Sequence, residues 1–334
     1  MKGRQENERS TEILIKKFLI NKPKYLHDYC MMLEDKSYTT RLQYLRYIVC
    51  LIDYLENEYD LNLNNADDFK QVKVSMIKAY MNYIKYKSDG TEMSHSIRAS
   101  KFYGIKSFFD FLVNDEYVQN NPCDKIKLQK DKDEHKITSL TKEEICQIKQ
   151  NIINGVGNED ALKKQKKWKS RDMALIMLTL SLGLRVTSVS EIDLEDVDFE
   201  NNSLKIVEKG NKIRTLEFSD NIKDLLLDWV KDREELMKFI MHPCDALFVS
   251  YQLERMKVGG IRKMLTKYTH NIDKHITPHK LRSTCATNIY EKTGDIYLVA
   301  NVLGHSNLAN TKRYTAVSND KQKQAARAMD DILF

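Results

Sequence analysis

The sequence predicts a mainly α-helical protein with one small β-sheet, an α+β fold. Two patterns indicate this class. Over most of the first 118 residues, apolar side chains recur at three- and four-residue steps, the spacing of one face of an α-helix. In the second half, two short segments alternate in polarity around Gly210-Asn211, which predicts a β-hairpin with a tight turn. A chain of 334 residues, 42% hydrophobic and 31% charged, is long enough for two globular domains.

The first half of the chain is predicted to be a compact helical bundle. Apolar stripes run through residues 42–55, 77–84 and 102–112, and such stripes pack into a core far more often than they stack on bases. In this prediction residues 1–22 are an N-terminal extension and residues 23–119 are the bundle domain. Residues 120–137 lose the periodicity and are dense in charge, so they are predicted to be an interdomain linker.

The second domain is predicted to span residues 138–318, followed by a short tail helix at 319–334 with an apolar tip. Thr141 followed by Glu144 is a capping-box pattern that opens a helix through about Ile153. The lysine-rich segment 163–169 is interpreted as a solvated loop, with phosphate contact as the alternative. A buried helix is then predicted from 171 to 183, and hairpin strands at 203–208 and 212–218.

Composition narrows the possible functions. The longest apolar run, Met173–Leu184, has twelve residues, too few to cross a bilayer, and no secretory leader opens the chain. The six cysteines are scattered without a CxxC pair, which favours reduced thiols in a cytoplasmic protein. Residues 1–136 hold 23 Lys and Arg against 21 Asp and Glu, and the remainder holds 31 against 27. Because neither half is strongly basic, a nucleic-acid surface requires clustering of charge on one face.

Four segments of the second domain carry residues suited to phosphate chemistry. They are SLGLR (181–185), EKGNK (208–212), HKLR (279–282) and LGHSNLANTKRY (303–314). Each alone is weak evidence, since a lone arginine, lysine or tyrosine is more often a surface charge or a packing residue. In this order and spacing they resemble the tyrosine recombinase (phage integrase) family, whose pattern is Arg, Lys, His-x-x-Arg, His, Tyr. The pattern falls on six residues: Arg185, Lys209, His279, Arg282, His305 and Tyr314.

The resemblance covers residues 140–320 strongly and 20–130 more loosely. It implies an N-terminal helical SAM-like core-binding domain, ending near Asn121-Pro122, and a mixed α/β catalytic domain. It also implies a site-specific recombinase that cuts and rejoins DNA through a 3′-phosphotyrosine intermediate and a Holliday junction, without a cofactor. About twenty residues precede the first clear helix, so no separate arm-binding domain is expected, which favours a Xer-like or transposon-type enzyme.

Elementary chemistry explains why these residue types belong together. A phosphodiester resists attack because its anionic oxygens repel a nucleophile. Two guanidiniums can each donate paired hydrogen bonds to the non-bridging oxygens, a geometry that a lysine ammonium lacks. One well-aimed donor of this kind contributes about 3–4 kcal/mol of transition-state stabilisation. Arg185 and Arg282 are the candidates, and a covalent link to Tyr314 conserves the bond energy, so no ATP is required.

The resemblance implies roles for the remaining residues of the pattern. His305 adds a donor to the same phosphate oxygens. Lys209, beside the hairpin turn, protonates the leaving 5′-oxygen, with Lys212 as a rival for this role. His279 assists as the base that deprotonates Tyr314. We expect Tyr314 to attack in its own active site rather than in that of a neighbouring copy.

Some features of the sequence depart from this pattern or suggest other chemistry. His275 and His279 are spaced like a zinc-binding pair, but Pro278 argues against a continuous helix through both, and no third ligand is near in sequence. No metal is therefore expected. Three positions carry residues that are uncommon in the family: Ser188, Ser283 and Ala316. None of them is a catalytic position, so we expect these differences to affect the rate and not the type of reaction.

For DNA binding, the resemblance implies a C-shaped clamp with the two domains on opposite faces of a duplex. Phosphate contacts supply most of the affinity in such complexes and make it depend steeply on salt, while a few side chains read base edges. The apolar end of the tail helix either folds into its own core or docks on a neighbouring copy, and we favour docking in a ring of four. The weak candidates for DNA contact are Thr40, Arg41, Ser96, Arg98, Lys101 and Lys212.

The expected partners are double-stranded DNA, other copies of the chain on DNA, and accessory DNA-binding factors, with no membrane. Two alternatives to site-specific recombination remain. The same chemistry could relax supercoils or resolve DNA ends, or the protein could be a catalytically dead DNA-binding protein. Retention of all six pattern residues argues against the dead protein.

Overall fold

The computed structural model describes residues 2–87, 89–128, 139–207, 212–304 and 311. The chain divides into two compact units, Glu6–Glu134 and His135–Phe334, and the second unit also includes Met1–Gln5. Each unit has its own hydrophobic core. Within the described ranges the chain is mostly helical, with one three-stranded sheet, so the predicted α+β class is confirmed.

The first unit is a bundle of helices, as the apolar stripes predict. Leu45, Ile77 and Phe109, one from each stripe, are fully buried in its core. Two serines begin the longer helices by capping: the Ser37 side chain accepts the amide of Thr40 at 3.3 Å, and Ser94 accepts that of Ile97. The helices are α1 (Lys2–Leu19), α2 (Lys24–Met32), α3 (Tyr38–Tyr59), α4 (Val74–Tyr83) and α5 (His95–Asn114).

The expectation that about twenty residues precede the first clear helix is wrong, because α1 already begins at Lys2. The side chains of Ile15 and Leu19 are buried in the core of the first unit. Residues 2–10 contain no apolar side chain, so no hydrophobic periodicity marks the start of this helix in the sequence.

The first residues of the predicted linker pack on the first unit. The Asn121 side chain accepts the Cys123 amide at 2.8 Å and donates to the Lys106 carbonyl at 3.0 Å and the Asp110 carboxylate at 2.7 Å. Pro122 starts a short 3-10 helix, Pro122–Lys125, and Cys123 is buried. Residues 129–138, which include the last nine residues of the predicted linker, lie outside the described residues.

The second unit combines eight described helices with the sheet. As predicted, Thr141 and Glu144 form a reciprocal capping box at the start of its first helix. The strands β1 (Val197–Asp198), β2 (Ser203–Val207) and β3 (Ile213–Glu217) are antiparallel in sequential order. The helices are α6 (Lys142–Asn154), α7 (Glu159–Lys166), α8 (Lys169–Leu182), α9 (Val186–Glu191), α10 (Asp220–Met237), α11 (Val258–Tyr268), α12 (Pro278–Thr293) and α13 (Ile296–Leu303).

The prediction of a solvated loop at 163–169 is wrong, because most of this segment belongs to α7 and the start of α8. The buried side chain of Gln165 fixes the turn before α7. Its amide nitrogen donates to the Val156 carbonyl at 2.6 Å, and its amide oxygen accepts the Val156 N–H at 3.1 Å. The surrounding lysines favoured a solvated loop in the sequence analysis, whereas the buried amide of Gln165 holds this segment against Val156.

A buried ionic cluster anchors the first turn of α8. The Arg171 guanidinium donates to Asp172 Oδ1 at 2.6 and 2.8 Å and to the Val249 carbonyl at 2.8 Å. The Tyr268 hydroxyl donates to Asp172 Oδ2 at 2.7 Å. Because both the arginine and the aspartate are almost inaccessible to solvent, these hydrogen bonds replace the water that each charge has lost.

Among the described residues, no helix combines the length and the apolar character that a membrane crossing requires.

Candidate active site

Arg185 lies at the junction between α8 and α9. Helix α8 is buried on most sides and ends at Gly183, whose backbone is left-handed with φ 59°. Glycine adopts this conformation without the steric strain that a Cβ atom brings. The chain then passes through buried Leu184 to Arg185, the residue that precedes α9. The half-buried side chain of Arg185 therefore starts from a backbone position that two helices fix.

His279 and Arg282 lie in the first turn and a half of α12. Thr277 caps this helix by accepting the Lys280 amide, and Pro278 occupies its first position, which agrees with the predicted break after His275. His279 and Arg282 are three residues apart, so they lie on neighbouring positions of one helix face. His279 is exposed, whereas Arg282 is only 4% exposed.

The Arg282 guanidinium joins the ends of two other helices. Its Nη1 donates to the Gly183 carbonyl at 2.6 Å, and its Nη2 donates to the Leu303 carbonyl. Gly183 precedes Arg185 by two residues, and Leu303 precedes His305 by two. Arg282 thus connects three of the four sequence segments that carry the predicted site.

The packing around this connection is tight. A Cβ atom on Gly183 would lie 2.8 Å from Leu303 Cδ2 and 3.2 Å from Cys285 Sγ. The Cys285 thiol donates to the Ser181 carbonyl at 3.3 Å, and its burial raises its pKa to about 11 despite the nearby charge of Arg282. Cys285 is therefore a protonated packing residue at neutral pH.

The predicted β-hairpin is confirmed in its strands. Residues 203–207 pair with 213–217 in antiparallel register, with Leu204 opposite Leu216 and Ile206 opposite Arg214. Lys212 is exposed directly before β3. Lys209 lies outside the described residues, as do His305, Tyr314 and the predicted tail at 319–334.

Arg214 is a contact residue that the sequence prediction missed. Its guanidinium donates to the Asn301 carbonyl at 2.5 Å, near the end of α13. A signal was present in the sequence, because Arg214 occupies the same phase of strand β3 as the apolar Leu216. A charged side chain in phase with buried apolar residues of a strand needs a hydrogen-bonding partner.

The candidate DNA-contact residues of the first unit have different environments. Arg41 donates from Nε to the Lys36 carbonyl at 2.9 Å and from Nη2 to the Glu34 carbonyl at 2.5 Å, so it closes the turn before α3. Arg98 lies 3.6 Å from the Glu92 carboxylate. The other three are polar side chains at or near helix surfaces: half-buried Thr40 and Lys101, and exposed Ser96.

Within the described ranges, no group of three or more His, Cys, Asp or Glu side chains could hold a metal ion. His275 is exposed and precedes α12, so it does not share a helix with His279.

The architecture is that of the tyrosine recombinases. One solved structure, described as the XerH site-specific recombinase bound to difH substrate, matches with a TM-score of 0.63 at 20% identity, covering 90% of this chain and 83% of that one. Another, the Tn1549 transposon integrase in complex with transposon right end DNA, has a TM-score of 0.63 at 18% identity and covers 92% and 99%. These likenesses define the fold class.

The chain belongs to the phage integrase family, whose model matches residues 138–321. The tyrosine recombinase XerC of Listeria monocytogenes is 28% identical over 273 residues, covering 81% of this chain and 86% of the relative. XerC of Vibrio cholerae is 26% identical over 279 residues, covering 78% and 85%. The predicted family and fold class are confirmed. The predicted enzyme class, a tyrosine site-specific recombinase, is confirmed as well.

Proposed function

We propose that the protein cuts and rejoins double-stranded DNA at specific sites through a covalent bond between Tyr314 and a 3′-phosphate. The observation that carries this proposal is the convergence on Arg282. Its guanidinium binds the carbonyls of Gly183 and Leu303, which precede Arg185 and His305 by two residues each. Distant parts of the chain that carry the family pattern are thereby connected through a residue of that pattern.

In the proposed reaction, Arg185 and Arg282 donate hydrogen bonds to the non-bridging oxygens of the scissile phosphate, and His305 adds a third donor. The Tyr314 oxygen forms a bond to phosphorus as the bond from phosphorus to the 5′-oxygen breaks. His279 accepts the tyrosine proton, and Lys209 gives a proton to the 5′-oxygen. Attack of a 5′-hydroxyl from another strand then reverses these steps and releases Tyr314.

Binding of DNA is supported by structural neighbours, among them the Tn1549 transposon integrase described as in complex with transposon right end DNA. The XerH structure is described as bound to difH substrate, and a lambda integrase structure as a dimer bound to a core site. We propose that both units contact DNA and that the chain acts in the cytoplasm. Of the candidates in the first unit, Lys101 and Ser96 are better placed for contact than Arg41, because the Arg41 guanidinium already binds two carbonyls of its own turn.

We further propose that four copies exchange strands through a Holliday junction, with the tail at 319–334 docking on a neighbouring copy and with accessory DNA-binding factors where the site requires them. Relaxation of supercoils and resolution of DNA ends use the same covalent chemistry. The Xer-type relatives favour site-specific recombination over these alternatives.

The test begins with the DNA site. Fragmented genomic DNA from the source organism is incubated with the protein, covalent complexes are isolated under denaturing conditions, and the linked ends are sequenced. A nicked suicide duplex carrying the recovered site should then give a covalent band with the wild type and none with Tyr314→Phe.

The matched control is Tyr297→Phe, which removes the hydroxyl of a tyrosine that is 69% exposed on α13. This variant should form the band at the wild-type rate. Absence of a covalent complex from the wild type on every recovered duplex would refute the proposal. A covalent complex followed only by supercoil relaxation would assign the chain to the alternative activity.

A further inference from the structure

Arg214 occupies an unusual position in the hairpin. Directly opposed residues of an antiparallel pair share one face of the sheet, so Arg214 lies on the same face as its partner Ile206. Leu204 and Leu216 also belong to this face, and all three apolar residues are buried. The face is therefore directed to the core, and Arg214 breaks its apolar pattern.

The end of α13 provides the acceptors that this charge needs. Arg214 Nη2 lies 2.5 Å from the Asn301 carbonyl oxygen and 3.4 Å from that of Val302. The next carbonyl, of Leu303, accepts from Arg282. The Asn301 carbonyl also accepts the amide of the cap residue Gly304 at 3.0 Å. The last carbonyls of a helix carry its negative partial charge, so two guanidiniums stabilise this end both by hydrogen bonds and by charge.

The two arginines reach this helix end from different elements. Arg282 belongs to α12, and Arg214 belongs to β3, which follows Lys209 and Lys212 in the sequence. Helix α13 ends at Gly304, which has a left-handed backbone with φ 62°, and the chain continues to His305. The direction in which the chain leaves α13 therefore depends on a helix end that is held from two sides.

We propose that Arg214 is a positioning residue for DNA cleavage, which holds the end of α13 so that His305 meets the scissile phosphate. The inference rests on the proposed function. Arg214 donates to backbone carbonyls near the end of α13, so we assign its effect on cleavage to His305, which follows Gly304 in the sequence. Its loss should lower the rate of cleavage with little effect on DNA affinity, because small displacements of a catalytic donor reduce rates strongly.

The experiment compares Arg214→Met, Arg214→Lys and the wild type on the suicide duplex. Arg214→Met should cleave about 10- to 100-fold more slowly in a single turnover. Its dissociation constant, from fluorescence anisotropy, should stay within about twofold. Arg214→Lys keeps a charge and one donor near the carbonyl and should recover most of the rate. The control is Lys205→Met on the solvent-facing side of β2, which should cleave within about twofold of the wild-type rate.

A duplex with sulfur in place of the 5′-bridging oxygen separates two routes of action. A thiolate leaves without a proton, so this substrate should restore cleavage by Lys209→Ala. It should not restore cleavage by Arg214→Met if the arginine acts through His305. Rescue of Arg214→Met would overturn the assignment, as would a loss of DNA affinity equal to the loss of rate.

Hydrogen–deuterium exchange tests the contact independently of cleavage. Peptides covering residues 296–304 should exchange faster in Arg214→Met than in the wild type and in Lys205→Met, because the end of α13 loses a partner. Unchanged exchange would overturn the positioning role even if the wild type cleaves DNA. Faster exchange, together with no covalent complex from the wild type on any duplex, would keep the contact and reject the proposed function.

Discussion

Arg282 Nη1 lies 2.6 Å from the carbonyl oxygen of Gly183 and donates a hydrogen bond to it across 99 residues of sequence. The same guanidinium binds the Leu303 carbonyl. In the proposed reaction Arg282 also binds the scissile phosphate. It would therefore organise the pocket and take part in the chemistry, and these two contributions can be measured separately.

Arg282→Lys should lower the free energy of unfolding by about 1–3 kcal/mol, because one ammonium cannot reach both carbonyls and leaves a buried acceptor unsatisfied. Urea unfolding measures this change. Arg185→Lys is the control, since Arg185 is half-buried and the substitution should cost less stability. Both variants should cleave the suicide duplex slowly. Equal losses of stability in the two variants would contradict a structural role for the carbonyl contacts of Arg282.

Gly183→Ala should destabilise the second unit for two reasons. The left-handed backbone, with φ 59°, costs about 1–2 kcal/mol for a residue with a Cβ atom. That atom would also lie 2.8 Å from Leu303 Cδ2, and such overpacking costs about 1–3 kcal/mol.

The control for this prediction is Gly90→Ala, where φ is 79° but no atom lies within 4 Å of the new Cβ. It should show the backbone cost alone. The difference between the two variants in thermal or urea unfolding measures the contacts of the new Cβ atom with Leu303 and Cys285. Equal destabilisation would mean that Leu303 moves aside freely.

Tyr268→Phe should lower the free energy of unfolding by about 1.5–3 kcal/mol, the value of a buried hydrogen bond to a charged group. Its hydroxyl donates to Asp172 at 2.7 Å. Burial, and then the Asp172 charge, raise the pKa of Tyr268, so the hydroxyl remains a donor at all ordinary pH values. Asp172→Ala should cost about 3–5 kcal/mol, because Arg171 would lose its charge partner in the core.

Tyr251→Phe is the matched control for Tyr268→Phe. The centre of its ring lies 5.1 Å from the Arg171 guanidinium carbon, in the same cluster, but the residue is 55% exposed. The loss of an exposed hydroxyl should change the free energy of unfolding by less than about 0.5 kcal/mol. An equal loss of unfolding free energy in Tyr251→Phe and Tyr268→Phe would show that the hydrogen bond to Asp172 adds no measurable stability.

Asp193 should make the stability of the second unit sensitive to acid. Burial alone would raise the pKa of this carboxyl, but the hydrogen bond and charge of Arg255, together with the Gly3 amide, hold the pKa below its ordinary value. A group whose pKa is lower in the folded state stabilises the protein above its unfolded pKa, about 3.9 for aspartate. This contribution is lost as the pH falls through the folded value.

Asp193→Asn should therefore be less stable than the wild type at neutral pH. Its free energy of unfolding should also fall less between about pH 5 and about pH 2.5, an interval that brackets the ordinary aspartate pKa of about 3.9. Urea unfolding at several pH values measures both effects. Asp228→Asn, at an exposed position of α10, should follow the wild-type profile. Parallel acid profiles of Asp193→Asn and the wild type would contradict the prediction.

Local patterns predicted much of the second unit. The capping box at Thr141, the end of α8 near Gly183 and the break in the helix between His275 and His279 all follow from chemistry within a few neighbouring residues. Prediction failed where such a signal was missing or masked. Helix α1 begins in a polar stretch that has no apolar periodicity. The lysines around Gln165 predicted a solvated loop, whereas the buried amide of Gln165 helps to hold a helix there.

The sequence by itself predicted the fold class and the family, which are confirmed, and it predicted the six residues of the candidate site, because residue type, order and spacing can be read without coordinates. The tertiary structure alone decided what holds the described part of that site together. Arg282 and Arg214 bind backbone carbonyls at the ends of α8 and α13, and every residue has a carbonyl group. No sequence pattern distinguishes the carbonyls that folding brings within reach of a guanidinium, so the partners of these two arginines follow only from the packing of elements far apart in the chain.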